Sequence, residues 1–159
     1  MAGAVFSDAG IARYELEIEI DAPPDAVWSA LVDETNAWWL PDFHMMGSGS
    51  VVTFEPHAGG GLIEKHADGG SLLWYTVQWI RPADRTVYLL GNIAPDWGGP
   101  TCSHFKLLVE ARGDGSVLRA TDAHLGNIDE KNLGSLASGW TTLFTDGLRA
   151  FVQEGVRHD

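Results

Sequence analysis

Positive charge and cysteine are both scarce in this chain. Its 159 residues include 10 lysine and arginine residues against 22 aspartate and glutamate residues, which gives a net charge of −12. Such a field repels phosphate groups, and no segment concentrates basic side chains, so we expect neither a nucleic-acid partner nor an anionic membrane surface. The single cysteine, Cys102, excludes an internal disulfide and is consistent with a reducing compartment.

Long apolar runs are also missing. The N-terminal segment has no basic start and no apolar stretch, so we predict neither a signal peptide nor a membrane partner, and therefore a cytoplasmic protein. Hydrophobic residues make up 45% of the chain, which is typical of a globular domain. The length predicts one domain over residues 1–159, with its core at about 13–155.

The motifs of metal and nucleophilic chemistry are not found in the sequence. Its six histidines lack the spacing of metal ligands on a helix, and one cysteine cannot form a thiolate zinc site, so we predict no metal and no cofactor. No Lys-Ser/Thr follows the glycines at 59–61, which argues against a phosphate-binding loop. A Gly-x-Ser-x-Gly motif is also missing, so nucleophilic catalysis has little support.

The alternation of apolar and polar residues predicts a series of strands. Arg13 to Asp21 alternates strictly and predicts a strand with one buried face. Pro24 then begins a short helix, and residues 33–46 contain a second short helix that ends at Pro41. Residues 92–100 are rich in proline and glycine and predict a mobile loop. Further strands are predicted at 50–56, 61–67, 71–81, 85–91, 101–111 and 115–125.

Residues 133–155 carry the strongest pattern in the chain. Their apolar residues recur with the 3.6-residue period of a helix, which predicts one amphipathic helix about 30 Å long. Trp140 and Phe144 lie at the centre of this stripe, so we expect both rings to face the sheet. The stripe consists of Leu136, Trp140, Leu143, Phe144, Gly147, Leu148 and Phe151.

The order of these elements predicts an α+β protein with a helix-grip fold. An antiparallel sheet of six or seven strands twists and curls, and the C-terminal helix alone is long enough to cover its concave face. We therefore expect a curved sheet wrapped around that helix, with two short helices after the first strand. A helix laid across a curved sheet tends to enclose a cavity.

Three segments carry a resemblance to a known family: DAPPDAVWSALVDETNAWW at 21–39, EPHAGGGLIEKHADG at 55–69 and SGWTTLFTDGLRAFVQEG at 138–155. In this order they resemble the SRPBCC or START-like superfamily. Within it, the chain is most similar to the family of activator of Hsp90 ATPase homologues, which is close to the polyketide cyclases and dehydrases. The resemblance implies a hydrophobic cavity between sheet and helix. Gly61 departs from it, because family members often carry arginine directly after the paired glycines.

Four polar residues fall on strand faces that should be apolar. Leu62, Glu64 and His66 share one face of their strand, and the resemblance places that face inward. Asp122 and His124 share the inner face of the last strand. We expect Glu64, His66, Asp122 and His124 to meet across the sheet as candidates for acid–base catalysis or for orienting a ligand. The alternative is that they form structural ion pairs or lie in water at strand ends.

Aromatic residues are numerous and supply the candidate ligand contacts. Trp140 is also explained by simple core packing on its helix, and Trp97 by either a flexible lid or an exposed anchor. Aromatic and methionine side chains in the irregular segment after the second helix suit an adaptable apolar pocket. The ligand-lining candidates are Trp38, Trp39, Phe43, Met46, Phe54, Glu64, Trp74, Trp79, Tyr88, Trp140 and Phe144.

Three functions are consistent with the sequence. The first is binding of a small hydrophobic or aromatic ligand in the cavity. The second is an enzyme of the cyclase, dehydratase or hydrolase type that uses Glu64 or a histidine as acid or base. The third is an interaction module of the chaperone-activator kind, and a homodimer is also left open. A closed cavity with a paired carboxylate would favour the enzyme, and exposed apolar loops without a cavity would favour the interaction module.

Overall fold

A curved antiparallel sheet forms most of the molecule. The computed structural model of the chain describes residues 3–159, and these contain seven strands in the order β1-β7-β6-β5-β4-β3-β2. The predicted α+β helix-grip fold is therefore confirmed, with seven strands rather than six. The strands are β1 (Gly10–Ile20), β2 (Val51–Phe54), β3 (Gly61–Lys65), β4 (Ser71–Arg81), β5 (Thr86–Ile93), β6 (Thr101–Arg112) and β7 (Gly115–Gly126).

Two short helices and one long one complete the fold. After β1 come α1 (Pro24–Asp33) and α2 (Thr35–Trp38), as predicted, and a 3-10 turn follows at Pro41–Phe43. The long terminal helix runs through α3 (Glu130–Thr142), a π-helical segment (Leu143–Arg149) and α4 (Ala150–Glu154). Within residues 3–159, no helix has both the length and the apolar character needed to cross a membrane.

The terminal helix begins earlier than its apolar stripe suggests. The stripe predicts a start at residue 133, and the helix begins at Glu130, because the Asp129 side chain accepts a hydrogen bond of 2.7 Å from the Asn132 N–H and caps the first turn. Its end at Glu154 agrees with the prediction. There Gly155 adopts a left-handed conformation (φ 72°), which glycine tolerates and which terminates the helix.

The hydrophobic core lies between the concave face of the sheet and the terminal helix. Phe144 and Leu148 of the helix are completely buried, as are Val87 and Leu118 of the sheet. Trp140 is also buried in this core, so the helix presents the predicted stripe to the sheet. The apolar spacing therefore identified the buried face of the helix correctly.

Strand β4 contains two bulges, and the first lies at Trp74. Leu62 of β3 pairs with Tyr75 and the next residue, Ile63, pairs with Leu73, so Trp74 has no partner of its own. A bulge places two neighbouring side chains on the same side of the sheet, where regular alternation would separate them. Trp74 and Tyr75 consequently both pack toward the concave face.

The second bulge, at Gln78, reverses the facing of the side chains that follow it in β4, so that Trp79 is exposed. Val77 pairs with Leu89 and Trp79 pairs with Tyr88, so Gln78 is the additional residue. Trp79 and Tyr88 are 43% and 40% exposed on the convex face, with ring centroids 5.4 Å apart. The expectation that these two rings line the cavity is therefore not met: the bulge moves Trp79 outward, and simple alternation already places Tyr88 outside.

Candidate functional site

A cavity of about 350 Å³ lies between the inner face of the sheet and α3. Its volume falls within the range of small-molecule sites, and its wall is mainly aromatic and aliphatic. Trp97, 56% exposed, stands at its edge in the 3-10 turn Pro95–Trp97. The wall includes Trp39, Phe43, Met45, Leu72, Trp74, Tyr75, Ile93, Trp97, Ser103, His124, Ser135, Leu136, Gly139, Trp140 and Leu143.

The aromatic part of this wall is held in a fixed arrangement around Trp140. Its ring centroid lies 6.2 Å from that of Trp39, 6.0 Å from that of Tyr75 and 4.8 Å from that of Phe105. Trp39 in turn meets Trp74 edge-on at 5.3 Å. Contacts of this kind restrict ring rotation, so the apolar surface offered to a ligand is formed in advance. The candidates Trp39, Phe43, Trp74 and Trp140 all lie on this wall.

Four other ligand-lining candidates lie away from the cavity. Trp38 is buried beneath α1, where its Nε1–H donates a hydrogen bond of 2.9 Å to the Ala30 carbonyl. Phe144 lies deeper in the core and, like Phe54, borders only a gap of about 10 Å³, which is too small for a ligand. Met46 is absent from the cavity wall, where its neighbour Met45 takes part instead. Helical and loop spacing could not distinguish core positions from cavity positions here.

Glu64 is completely buried, and both of its carboxylate oxygens are occupied. Oε1 accepts hydrogen bonds from the Ser50 hydroxyl at 2.6 Å and the Met46 N–H at 2.9 Å. Oε2 accepts from the Trp74 Nε1–H at 3.0 Å and the Met45 N–H at 3.2 Å. Glu64 therefore fixes both Trp74 and the loop that brings Met45 to the cavity. Its own carboxylate is absent from the cavity wall, so its position indicates a bracing function.

The ionisation of Glu64 follows from these contacts. Burial alone would favour the neutral acid. The donors, led by the Ser50 hydroxyl and followed by the Met46 N–H and the Trp74 indole, outweigh burial and lower the pKa of Glu64 below its ordinary value. Glu64 is therefore a carboxylate at neutral pH, and a group held ionised by four donors is poorly suited to act as a general acid.

His44 and Ser50 extend the Glu64 cluster without forming a catalytic triad. The Ser50 hydroxyl has one proton, which it donates to Glu64, so the His44 Nδ1–H donates to Ser50 Oγ over 2.8 Å. In a nucleophilic triad the histidine lies between the serine and the acid. Here the serine occupies the middle position and is 5% exposed. The arrangement therefore does not activate a nucleophile.

A second buried carboxylate, Asp122, contacts two polar residues of the cavity wall, Ser103 and His124. Oδ2 accepts hydrogen bonds of 2.7 Å from the Tyr14 hydroxyl and from His124 Nε2, and Oδ1 accepts one of 2.7 Å from the Ser103 hydroxyl. Strand register explains the cluster, because Tyr14 lies opposite Asp122 and Ser103 lies opposite His124. Asp122, His124 and Ser103 are all at most 3% exposed, and His124 and Ser103 contribute to the cavity wall.

The contact with Asp122 fixes the orientation of His124 and the tautomer of its neutral imidazole. A carboxylate accepts hydrogen bonds, so Nε2 carries the hydrogen of the neutral imidazole and Nδ1 keeps a lone pair. Nδ1 is buried and has no hydrogen-bond partner within residues 3–159. A carboxylate–imidazole pair beside a cavity can accept a proton or hold a polar ligand group.

Two tyrosines next to this pair keep their protons. Burial, followed by the charge of Asp122, raises the pKa of Tyr14 well above its ordinary value, and the same two causes raise the pKa of Tyr75. Tyr75 lies on the cavity wall, and its hydroxyl is 3.5 Å from Ser103 Oγ. Both hydroxyl groups are therefore hydrogen-bond donors at neutral pH.

The four predicted acid–base candidates do not meet. Glu64 on β3 and Asp122 on β7 are separated by three intervening strands, roughly 19 Å along the sheet. Only Asp122 and His124 form a pair, and His66 is partly exposed beside Asp68 in the turn after β3, at 3.0 Å. The sequence assigned Glu64, Asp122 and His124 to the correct faces of their strands. Alternation along one strand does not show which strands are adjacent in the sheet. Among the described residues, no three His, Cys, Asp or Glu side chains form a group that could hold a metal ion.

Sequence reasoning missed several residues in and beside the cavity wall for different reasons. Ser103 interrupts an apolar face continued by Phe105 and Leu107 on β6, and this irregularity was a usable signal. Tyr14 lies on the apolar side of the alternating segment Arg13 to Asp21, and this pattern gives no sign of its hydrogen bond to Asp122. Tyr75 could not have been found, because the bulge that turns it toward the cavity leaves no mark in the alternation.

Comparison with known proteins agrees with the fold. The profile described as Activator of Hsp90 ATPase homolog 1-like protein matches residues 21–153. The chain belongs to this family. Membership fits a ligand-binding or cyclase-like function and specifies no ligand. No match was found among curated proteins.

Solved structures of low sequence identity share the helix-grip fold. The crystal structure of Ara h 8.0201 is 16% identical with a TM-score of 0.65, covering 90% of this chain and 98% of that one. The Aha1 dimer from Colwellia psychrerythraea is 18% identical with a TM-score of 0.61, covering 91% and 98%. CalU16 from Micromonospora echinospora is 19% identical with a TM-score of 0.60, covering 93% and 87%. At these identities the likeness concerns the fold alone.

Proposed function

We propose that this protein binds a small apolar or aromatic molecule in the cavity between the sheet and α3. The observation that carries the proposal is the cavity itself, about 350 Å³ in volume, with Trp39, Trp74 and Trp140 on its wall. Apolar walls with a few polar groups are typical of small-molecule sites. Here the polar residues of the wall are Asn92, Ser103, His124 and Ser135.

A neutral fluorescent probe tests this proposal. N-phenyl-1-naphthylamine should bind near one equivalent and quench the cavity tryptophans. Gly139 lies on the wall, and a Cβ at this position would have only ordinary contact with Phe43, at 3.7 Å. Gly139→Leu should therefore fill the cavity and weaken binding by about tenfold or more.

The same substitution at Gly134 provides a matched control. Gly134 lies on the same helix and is exposed, and a Cβ added there would have no atom within 4 Å. Gly134→Leu should bind the probe as the wild type does, and both variants should keep the fold because leucine favours helix more than glycine. Equal binding by Gly139→Leu and Gly134→Leu would place the probe elsewhere and contradict the proposal.

Catalysis is a second candidate function, favoured by the Asp122–His124 pair beside the cavity. If the protein is an enzyme, a variant of the pair should retain unreacted substrate. We therefore expect native mass spectrometry to find a co-purified molecule of different mass on His124→Gln than on the wild type. The same molecule on both proteins would support binding without turnover.

The remaining alternatives concern partners and location. The name of the family supports a chaperone-activator module, but the cavity supports ligand binding more directly. The Colwellia psychrerythraea structure is named a dimer, and for this chain a homodimer is a proposal that sedimentation velocity can test. A cytoplasmic location is likewise a proposal, to be tested by fractionating the source cells.

A further inference from the structure

We propose that the ligand is an aromatic molecule with a hydroxyl group, and that this hydroxyl donates a hydrogen bond to His124 Nδ1. This inference rests on the proposed function, since it assigns the chemistry of the molecule in the same cavity. The cavity supplies an aromatic surface at Trp74 and Trp140, and His124 lies on its wall. A phenol-like molecule matches both parts.

The hydrogen bonds around Asp122 determine what His124 can accept. Asp122 already takes hydrogen bonds from Tyr14, Ser103 and His124 Nε2, so its carboxylate is satisfied without the ligand. The imidazole is held with its Nε2–H toward Asp122, which leaves the Nδ1 lone pair as the available acceptor. The ligand group that complements a lone pair is a hydrogen-bond donor, such as a hydroxyl.

Burial makes this acceptor selective. His124 is 1% exposed, and Nδ1 has no partner within residues 3–159. A buried acceptor without a hydrogen bond is costly, so a ligand that supplies a donor gains more here than it would at the protein surface. A ligand without a hydrogen-bond donor leaves Nδ1 unpaired and therefore does not gain this free energy.

Charge argues against an acidic ligand beside His124. A carboxylate placed near His124 would lie close to the buried carboxylate of Asp122 and would enter a protein of net charge −12. A neutral hydroxyl avoids both repulsions. We therefore expect phenols to be preferred over aromatic carboxylates of similar size.

Three ring-matched probes test the inference on the wild-type protein: naphthalene, 2-naphthol and 2-methoxynaphthalene. Each is titrated against bound N-phenyl-1-naphthylamine near neutral pH. 2-Naphthol should bind about threefold to tenfold more tightly than either of the others, the effect of one additional hydrogen bond. 2-Methoxynaphthalene retains the oxygen but lacks the proton, so it controls for polarity and size.

Two variants then assign the preference to Nδ1. His124→Gln can keep the hydrogen bond to Asp122 with its amide, because the end of glutamine reaches the place of Nε2, but it has no group equivalent to Nδ1. It should lose the preference for 2-naphthol over naphthalene, whatever its own affinity for naphthalene. His124→Asn places an amide oxygen near the Nδ1 position and should retain part of that preference. Thermal melting checks that both variants are folded.

Each outcome separates this inference from the function on which it rests. If none of the three probes displaces N-phenyl-1-naphthylamine, the proposed function fails. If naphthalene binds and 2-naphthol binds no more tightly to the wild type, the cavity is a ligand site and the inference is wrong. A preference for 2-naphthol that survives unchanged in His124→Gln would also overturn it. The wild-type comparison decides the question even if a variant does not fold.

Discussion

Glu64 shows how opposing effects on one residue produce a definite charge state. Burial favours its neutral form, and four hydrogen-bond donors favour its ionised form. The donors prevail, so the carboxylate holds together the loop that carries Met45 and the ring of Trp74. Glu64 therefore acts on the cavity by positioning its wall.

Replacing Glu64 by glutamine should destabilise the protein. In the wild type, each carboxylate oxygen of Glu64 accepts hydrogen bonds from two donors. Glutamine replaces one of these oxygens with an NH₂ group, which is itself a donor, so in either orientation two donors lose their acceptor. We expect a loss of about 1–3 kcal/mol in the free energy of unfolding, measured by urea denaturation. Glu15→Gln, at an exposed position, is the control and should change it by less than about 0.5 kcal/mol. A loss no larger than that of the control would contradict the bracing function.

The same variant carries a prediction about pH. The pKa of Glu64 is lowered in the folded protein from an ordinary value of 4.5. The unfolded chain therefore binds the proton first, and the stability contributed by Glu64 is present above this value and is lost as pH falls below it. We expect the difference in unfolding free energy between wild type and Glu64→Gln to shrink as pH falls below 4.5. A difference independent of pH would show that ionisation of Glu64 is not its source.

Tyr14 predicts the opposite behaviour in alkaline solution. Burial and the charge of Asp122 raise the pKa of Tyr14 above 10.0, so the folded protein keeps a proton that the unfolded chain releases. Stability should therefore fall as pH rises above 10.0. Tyr14→Phe loses the hydrogen bond to Asp122 and should cost about 0.5–3 kcal/mol near neutral pH. Its stability should then fall less steeply than that of the wild type, as measured by urea unfolding across alkaline pH, and parallel curves would contradict the prediction.

At the scale of single residues, the sequence predicted burial better than proximity. The two-residue spacing of strands grouped Glu64 with Leu62 and Asp122 with His124, and the family resemblance turned the Glu64 face inward; Glu64, Asp122 and His124 are all buried. The prediction was wrong for Trp79, because the bulge before it shifts the pairing by one residue. No feature of the amino-acid composition marks the position of such a bulge. Alternation also could not show that Asp122 and Glu64 are far apart, since the order of strands is a property of the whole sheet.

Among the elements, the terminal helix is the one whose interior differs from the prediction. Its apolar stripe is buried as expected, but residues Leu143–Arg149 form π-helical turns. Side-chain spacing shows which residues face the core. Over so short a segment, this spacing does not distinguish the hydrogen bonds of an α-helix, which join residues four apart, from those of a π-helix, which join residues five apart.

Gly147, within this segment, allows the helix to approach α2. A Cβ at Gly147 would overlap the carbonyl oxygen of Trp38, which belongs to the backbone and cannot rotate away. Gly147→Ala should therefore cost about 1–3 kcal/mol of unfolding free energy. Gly134→Ala, on the same helix with no atom nearby, should instead raise stability by about 0.5–1 kcal/mol. The free energy of unfolding of both variants is measured by thermal and urea denaturation. Equal changes in Gly147→Ala and Gly134→Ala would mean that close packing at Gly147 is unimportant.

For the whole molecule, the sequence predicted the fold and its cavity but not the shape of that cavity. Element order and the covering helix were sufficient for the architecture, because a curled sheet has few ways to bury its concave face. The position of the cavity depends on how Trp39, Trp140 and Phe144 divide the space between them. That division is set by side-chain packing, which periodicity does not describe.

The net charge of −12 predicts how the whole molecule treats charged ligands. 1-Anilinonaphthalene-8-sulfonate has the ring system of N-phenyl-1-naphthylamine with an added sulfonate. The anionic probe should bind more weakly at low salt and gain on the order of threefold in affinity between about 20 mM and about 300 mM salt, because screening weakens the repulsion. The neutral probe should be nearly insensitive. Equal salt dependence of the two probes would show that the field of the protein does not reach the cavity.

The pairing of the first strand with the last has a consequence for how the chain is made. β1 has β7 as its sole neighbour in the described sheet, so it remains without a partner until almost the whole sequence has left the ribosome. Pairings between distant parts of a chain form slowly, and unpaired strands expose apolar surface while they wait. The hydrogen bond from Tyr14 to Asp122 spans this pairing. The cluster around Asp122 is therefore assembled late in biosynthesis, and the aromatic wall is completed later still, because Trp140 lies on α3, which follows β7 in the chain.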